Sequence, residues 1–218
     1  MLDVHRLILP RFLSNTYLVR HPTAAEAIVI DPGDADTGPV EGLATQLGVS
    51  VPYVILTHEH FDHVAGANRL RDRFASRLIC SAACAARAQT PQGNMSRYWG
   101  GGDMIAGPPD ITCEALGWTL DWLGLTIGML STPGHTPGGI CLTIENCLFS
   151  GDTLLDNVRT PTNLPESSAP SLRQSVADLM RTFPPDTLVY PGHGNSFPLG
   201  TVNVDTVFGK DPQCRPKA

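Results

Sequence analysis

Apolar residues along this chain gather in short, β-branched runs separated by turn formers. The runs Val4–Leu9, Thr16–Val19, Ala27–Ile30 and Val54–Thr57 each predict a strand. Between them the period changes. Pro39–Leu47 and Ala65–Phe74 carry apolar residues at helical spacing, and in the second Leu70 and Phe74 share a face while Arg69, Arg71 and Arg73 spread outward. Both are expected to be surface helices with solvated charges. A strand at Arg77–Ser81 and a helix near Ala82–Gln89 follow, and Thr90–Pro109, which holds Gly100, Gly101 and Gly102, has no period and reads as a loop. A second strand-rich unit is predicted from Ile111–Leu116, Leu125–Ser131, Gly139–Ile144 and Cys147–Phe149, with turns at Gly124, Pro133–Gly138 and Glu145–Asn146. The polar loop Leu155–Ser168 precedes a helix at Pro170–Phe183, whose Leu172, Val176, Leu179 and Phe183 form one face to pack on a sheet. Thr187–Tyr190 is the last predicted strand, and the rest reads as irregular. No repeat, linker or low-complexity segment divides residues 1–218, so one domain is expected.

Composition narrows the function classes. A chain of 218 residues with 42% hydrophobic side chains can bury one substantial core, and its 21 Gly and 19 Pro make it loop-rich while leaving it folded. The formal charge of −6 offers no basic surface for a phosphate backbone or an anionic bilayer, so neither nucleic acid nor membrane is an expected partner. No apolar run approaches the roughly 20 residues of a membrane span. The opening MLDVHRLILPRFLSN has an acid at position 3 and an apolar stretch broken by Arg6 and Pro10, with no small-residue cleavage site. It does not read as a signal peptide, and a cytoplasmic enzyme or binding protein with a small-molecule ligand is expected. The six cysteines, of which only Cys80 and Cys84 lie close together, form neither a disulfide framework nor a CxxC zinc site and are expected to be small buried thiols.

The histidines carry the chemistry. His5 and His21 are expected to be surface or packed residues, but the other five follow predicted strands in company with Gly, Pro or Asp. Val54–Leu56 runs into Thr57-His58-Glu59-His60-Phe61-Asp62-His63, which puts four nitrogen or oxygen donors within six residues. At a strand's end the period of two lets His58 and His60 point to one side, and the turn beyond presents Asp62 and His63 to a neighbouring point, so one segment can serve two metals. Imidazole and carboxylate donors without thiolate suit Zn²⁺, with Fe or Mn as alternatives. Glu59, inside the motif, is expected to be exposed. Three later donors also end strands: His135 in TPGHT, Asp152 in SGDTL and His193 in PGHG.

THEHFDH, TPGHT, SGDTL and PGHG, in this order from Thr57 to Gly194, resemble the metallo-β-lactamase superfamily. The resemblance implies an α/β fold, an αββα sandwich of two mixed sheets flanked by helices, with two metals at the strand ends. It implies His58, His60 and His135 on the first metal, Asp62, His63 and His193 on the second, and Asp152 bridging them. It implies a hydrolase in which a metal-bridging hydroxide attacks a carbonyl, with Asp62 as the catalytic residue that orients the nucleophile or passes a proton to the leaving group.

Within that superfamily the carboxylate Asp152, the presence of His63 and the lack of a signal peptide disfavour β-lactam hydrolysis. The motif set is most similar to that of glyoxalase II-like thioester hydrolases. Two departures stand out: 25 residues follow His193 where a helical domain is usual, and Arg159 lacks the glycine of the family's Gly-Arg or Gly-Lys turn after GDTL. A lactonase or other small ester hydrolase would use the same donors, whereas a persulfide dioxygenase-like enzyme would use a subset around one Fe(II). The loop Gln92–Met104, with Arg97, Tyr98 and Trp99, is read either as a lid over an organic substrate or as scaffold whose Trp99 packs on the core. Tyr98, Trp99 and Arg159 are the candidate substrate-binding residues, Arg159 as a partner for a substrate carboxylate.

Overall fold

Alternate residues of the apolar runs face different layers, and this sets the architecture. In the computed structural model, which describes residues 2–99, 102–113 and 117–208, the first sheet contains β1 (Asp3–Ile8), β2 (Asn15–Arg20), β3 (Glu26–Ile30), β4 (Ser50–Ile55), β5 (Arg77–Ser81) and β6 (Ile111–Cys113), side by side in chain order. The second contains β7 (Trp118–Trp122), β8 (Leu125–Ser131), β9 (Ile140–Ile144), β10 (Cys147–Gly151), β11 (Leu188–Pro191) and β12 (Phe197–Pro198), again in sequential order. β1, β2 and β3 pair antiparallel, while β3 through β6 run parallel, as do β10 and β11. Each parallel step carries a helical crossover, as parallel pairing requires.

Val29, Val54 and Leu78 point outward to α1 (Gly38–Leu47), α2 (Phe61–Val64), α3 (Ala67–Phe74) and α4 (Ala82–Ala88). Their neighbours Ile28, Ile55 and Ile79 point inward, where with Tyr17 and Ile30 they meet Trp122, Ile127, Leu142 and Phe149 of the second sheet. On the far side Leu148 and Val189 pack under Leu172, Val176 and Leu179 of α5 (Ala169–Thr182), and α6 (Val204–Phe208) adds Val207. The order helices, sheet, sheet, helix is the αββα sandwich expected from the sequence. Among the described residues no helix is long and apolar enough to cross a membrane.

Several boundaries differ from the sequence reading for local reasons. The helix expected over Ala65–Phe74 begins at Ala67, and a separate helical turn, Phe61–Val64, precedes it, with Gly66 between them. A Cβ there would lie 2.5 Å from Asp34 O and 2.8 Å from Thr37 Cγ2, and Gly66 N–H donates to Pro32 O. The strand expected at Val54–Thr57 begins at Ser50 and ends at Ile55; Pro52, which has no N–H to donate, sits where the register with β3 shifts. Trp118–Trp122, whose apolar and polar residues alternate, is a strand that the sequence reading passed over, and β12 and α6 lie in the stretch expected to be irregular. Residues 114–116 of the expected strand Ile111–Leu116, and the glycines 100 and 101, lie outside the described residues.

Candidate metal centre

Strands β3, β4, β8, β10 and β11 all end at one rim of the sandwich, and the loops there bring the seven predicted donors together. Carboxyl ends of strands are where loops are free to present side chains while the backbone is held by the sheet. His58, His60, His63, His135 and Asp152 are buried, and Asp62 and His193 are partly exposed at the mouth.

Their ring nitrogens are held by the protein on one side only. His58 Nδ1 lies 3.0 Å from Thr57 Oγ1, whose own hydrogen goes to Asp31 Oδ2 at 2.6 Å; Thr57 therefore accepts from His58 Nδ1–H and donates to Asp31. His63 Nδ1 lies 3.1 Å from the same carboxylate, and His135 Nδ1 lies 2.9 Å from Pro161 O. Each contact orients its ring and turns Nε2 into the site, where a cation can take up its lone pair. His58 Nε2, His63 Nε2 and Asp152 Oδ1 are buried without any hydrogen-bond partner, a costly arrangement for polar atoms unless a cation takes them up.

The spacing fits a cation as well. His135 Nε2 faces His60 Nδ1 at 3.0 Å, near the roughly 3.3 Å between two nitrogens on one tetrahedral zinc. Asp152 lies 3.5 Å from His135 Nε2, 3.7 Å from His63 Nε2 and 3.6 Å from His193 Nε2, and Asp62 lies 3.8 and 3.5 Å from the last two. These separations are too long for good hydrogen bonds and suit donors that share an ion. Two clusters result, His58–His60–His135 and Asp62–His63–His193, with Asp152 between them.

Protonation follows the same division. Burial, reinforced by neighbouring imidazoles, holds His58 well below the usual histidine value and His60 down to about 3, so both are neutral and able to ligate. For His63 burial works the same way but is overcome by Asp62, Asp31 and Asp152, which push it up to about 10. Burial would raise the Asp62 carboxyl, yet His63, His193 and His60 hold it well below the carboxylate range.

Sequence reasoning missed the supports. Asp31 accepts from Thr57 N–H (2.7 Å), Thr57 Oγ1 and His63 Nδ1, so its oxygens are occupied and it orients the ligands, although it also stands close to His58 and His63. Its signal was a lone acid ending the apolar run of β3. Asn15 and Tyr17 of β2 hold the last donor loop: Asn15 Nδ2 donates to Pro191 O and Gly194 O, and Tyr17 OH donates to Pro191 O at 2.6 Å. Gly192 lets that loop approach, since a Cβ there would lie 2.1 Å from Asp152 Oδ1.

Glu59, expected to be exposed, is fully buried. Its Oε1 accepts from Arg87 Nε at 2.6 Å and its Oε2 from Thr136 Oγ1 at 3.0 Å, which ties the His58–His60 turn to the His135 loop. Arg87 continues to Glu166. His21 is a packed residue, with Trp122 edge-on to its ring, and His5 pairs with Asp3. The five cysteines among the described residues are free, four of them buried.

A cavity of about 410 Å³ opens on the donors, lined by Phe12, Phe61, Met95, Trp99, Pro161, Asn163 and Leu164 above His60, Asp62, His135, Asp152 and His193. Trp99 therefore lines this cavity. Tyr98, 62% exposed, does not, because it projects from a 3-10 turn at Ser96–Tyr98. Arg159 is exposed on its loop and does not line the cavity either; that loop contributes Pro161, Asn163 and Leu164 instead. Of the expected loop Gln92–Met104, the described residues 92–99 and 102–104 are tied together: buried Asn94 donates to Ala88 O and Met104 O, and Ser96 Oγ accepts from Met104 N–H.

Comparison with known proteins agrees with this geometry. The hydroxyacylglutathione hydrolase of Klebsiella pneumoniae is 30% identical over 185 residues, which span 85% of this chain and 64% of that protein. The crystal structure of the BLEG-1 B3 metallo-beta-lactamase superposes with a TM-score of 0.84 at 26% identity, covering 92% of this chain and 95% of that one. TTHA1623 in a di-iron-bound form superposes with a TM-score of 0.76 at 28% identity, covering 90% and 96%. With residues 9–193 matching the family description itself, the chain belongs to the metallo-beta-lactamase superfamily, as a metal-dependent hydrolase.

Proposed function

We propose that the protein hydrolyses small thioesters with two divalent cations, zinc in the first instance, held by His58, His60, His135, Asp152, Asp62, His63 and His193. The observation that carries this reading is the pair of three-donor clusters joined by a carboxylate, with buried donor atoms left unpartnered. All seven donors are nitrogen or oxygen, and a site of this kind open to a cavity is catalytic in character, unlike closed, thiolate-rich structural zinc. When bound, two cations bring the pKa of a water from 15.7 toward about 7 and polarise the carbonyl that it attacks.

The chain's own groups do the rest. Asp62, ionised at the mouth and 16% exposed, is placed to accept a hydrogen bond from the attacking water and orient it. Asp31 and Pro161 O keep His63 and His135 in orientation, and Phe12, Phe61 and Trp99 give the cavity an apolar wall. A second reading, hydrolysis of small esters or lactones, is supported by the apolar cavity wall, which does not distinguish sulfur from oxygen in the leaving group.

The test combines metal analysis with a substrate panel. We expect close to two zinc ions per chain, and thiol release from thioesters at a kcat/KM at least about a hundredfold above that for a chromogenic cephalosporin. Faster turnover of a lactone than of any thioester would favour the second reading. A better cephalosporin rate would overturn both readings, and so would one iron per chain with oxygen uptake on a glutathione persulfide.

A further inference from the structure

We infer that the group seated in the cavity beside the metal centre is an uncharged, apolar acyl or aryl moiety, and that Phe12, Phe61, Trp99 and Leu164 set this preference. The inference rests on the hydrolase reading and names the substrate class for that same site.

The wall supports it on three counts. Every residue above the metal donors is apolar except Asn163, and among the described residues no Lys or Arg lines the cavity. A carboxylate seated against that wall would therefore lose its hydration with no Lys or Arg side chain to pair with. Second, the nearby cations are engaged or turned elsewhere. Arg6 lines an adjoining cleft beyond Phe12 and His193 and donates to Gly194 O, Arg11 lies over the Phe12 ring at 5.1 Å from its centroid and lines neither cleft, Arg97 is paired with Asp103, and Arg159 is exposed and lines neither cleft. Third, the aromatic wall is assembled from separate parts of the chain: Phe12 stands edge-on to Phe61 at 4.8 Å and to Trp99 at 6.2 Å. Trp99 nonetheless keeps 54% of its surface exposed, apolar area that a bound chain or ring would cover.

Each methylene seated in such a cavity contributes about 0.8 kcal/mol, or roughly a fourfold gain in kcat/KM. The experiment is a series of N-acetylcysteamine thioesters with acyl chains of two to eight carbons, set beside the glutathione thioesters of the same acids. We expect kcat/KM to rise about fourfold per carbon until the cavity is full, no advantage for the anionic glutathione series, and a slope at least halved in Trp99→Ala and Phe12→Ala. A flat chain-length profile overturns the inference, as does a glutathione thioester that outperforms its uncharged counterpart by more than tenfold.

A second arm is independent of hydrolysis. Straight-chain alcohols titrated into the metal-free protein should change Trp99 fluorescence, tighten with chain length, and lose the signal in Trp99→Phe. If these bind as expected while no thioester, ester or lactone is cleaved, the hydrolase reading fails and the apolar site stands. If cleavage occurs but alcohols give no length-dependent binding, the site assignment fails and the hydrolase reading stands.

Discussion

Arg87→Met should expose how much the buried carboxylate inside the metal motif depends on one partner. Glu59 is fully buried and loses Arg87 Nε at 2.6 Å, keeping only Thr136 Oγ1. Stranding one member of a buried pair costs about 3–5 kcal/mol. The carboxyl can escape by taking a proton, and burial already pushes Glu59 upward against the pull of its own backbone N–H, Arg87 and Thr136. Without Arg87 it rises further, so the unfolded state, with its carboxyl near 4.3, ionises first and stability falls as pH climbs above that value. The ceiling is 1.36 kcal/mol per pH unit, giving a deficit of about 1 kcal/mol at pH 5 and up to about 5 at pH 8. For a chain of this size that is a drop of roughly 6–20 °C in Tm at pH 8. Guanidinium unfolding of the chelator-treated proteins at both pH values measures it, and Glu59→Gln combined with Arg87→Met supplies the control. The double variant shares the lost contacts to Glu166 and Gly93 and should recover most of the stability, without the pH dependence. A single variant within 1 kcal/mol of wild type at pH 8, or a double variant as pH-sensitive as the single, would refute the reasoning.

Asp62→Ala should lower kcat by about a thousandfold or more while His58, His60 and His135 still retain one metal; near-normal turnover with two metals bound would remove Asp62 from its role. Gly192→Ala places a Cβ 2.1 Å from Asp152 Oδ1 and 2.8 Å from His63 Cε1, so elemental analysis should find metal content cut by about half with the circular dichroism of the fold intact; full occupancy would contradict the packing. Because His63 is raised to about 10 while His58 and His60 are neutral, loading the metal-free protein with two cations at pH 8 should release at least two protons, one from His63 and one from the bound water, read from calorimetry in buffers of different ionisation enthalpy. Affinity at that cluster then rises with pH toward 10, and release of one proton or fewer would mean that His63 is already neutral.

The sandwich was legible because buried strands of both sheets are β-branched and bounded by turn formers, and because the donors sit where those strands end. What escaped was set by neighbours distant in sequence. Asp31 orients His63 only because β3 and β4 lie side by side, a parallel pairing that places residues 26 and 32 positions apart in contact. Glu59 looked like a solvated charge, and only α4, crossing back over the motif, supplies the Arg87 that makes its burial tolerable. Arg159 follows Asp152 at a distance that suits a substrate contact, but the loop turns Pro161 and Leu164 toward the cavity instead, a placement set by packing and not by order along the chain.

His63 and His193 are separated by 130 residues and come from different sheets, and this has a consequence for how the protein is made. At 5–20 residues per second, a ribosome delivers His193 roughly 7–26 s after His63. During that interval Asp62 and His63 lack their third partner, and the loop bearing His193 cannot settle before Asn15 and Tyr17 of the first sheet have met Pro191 and Gly194 of the second. Capture of the full complement of metal is thereby deferred until both halves of the nascent chain have docked. A product cut short before His193 is left with an incomplete donor set.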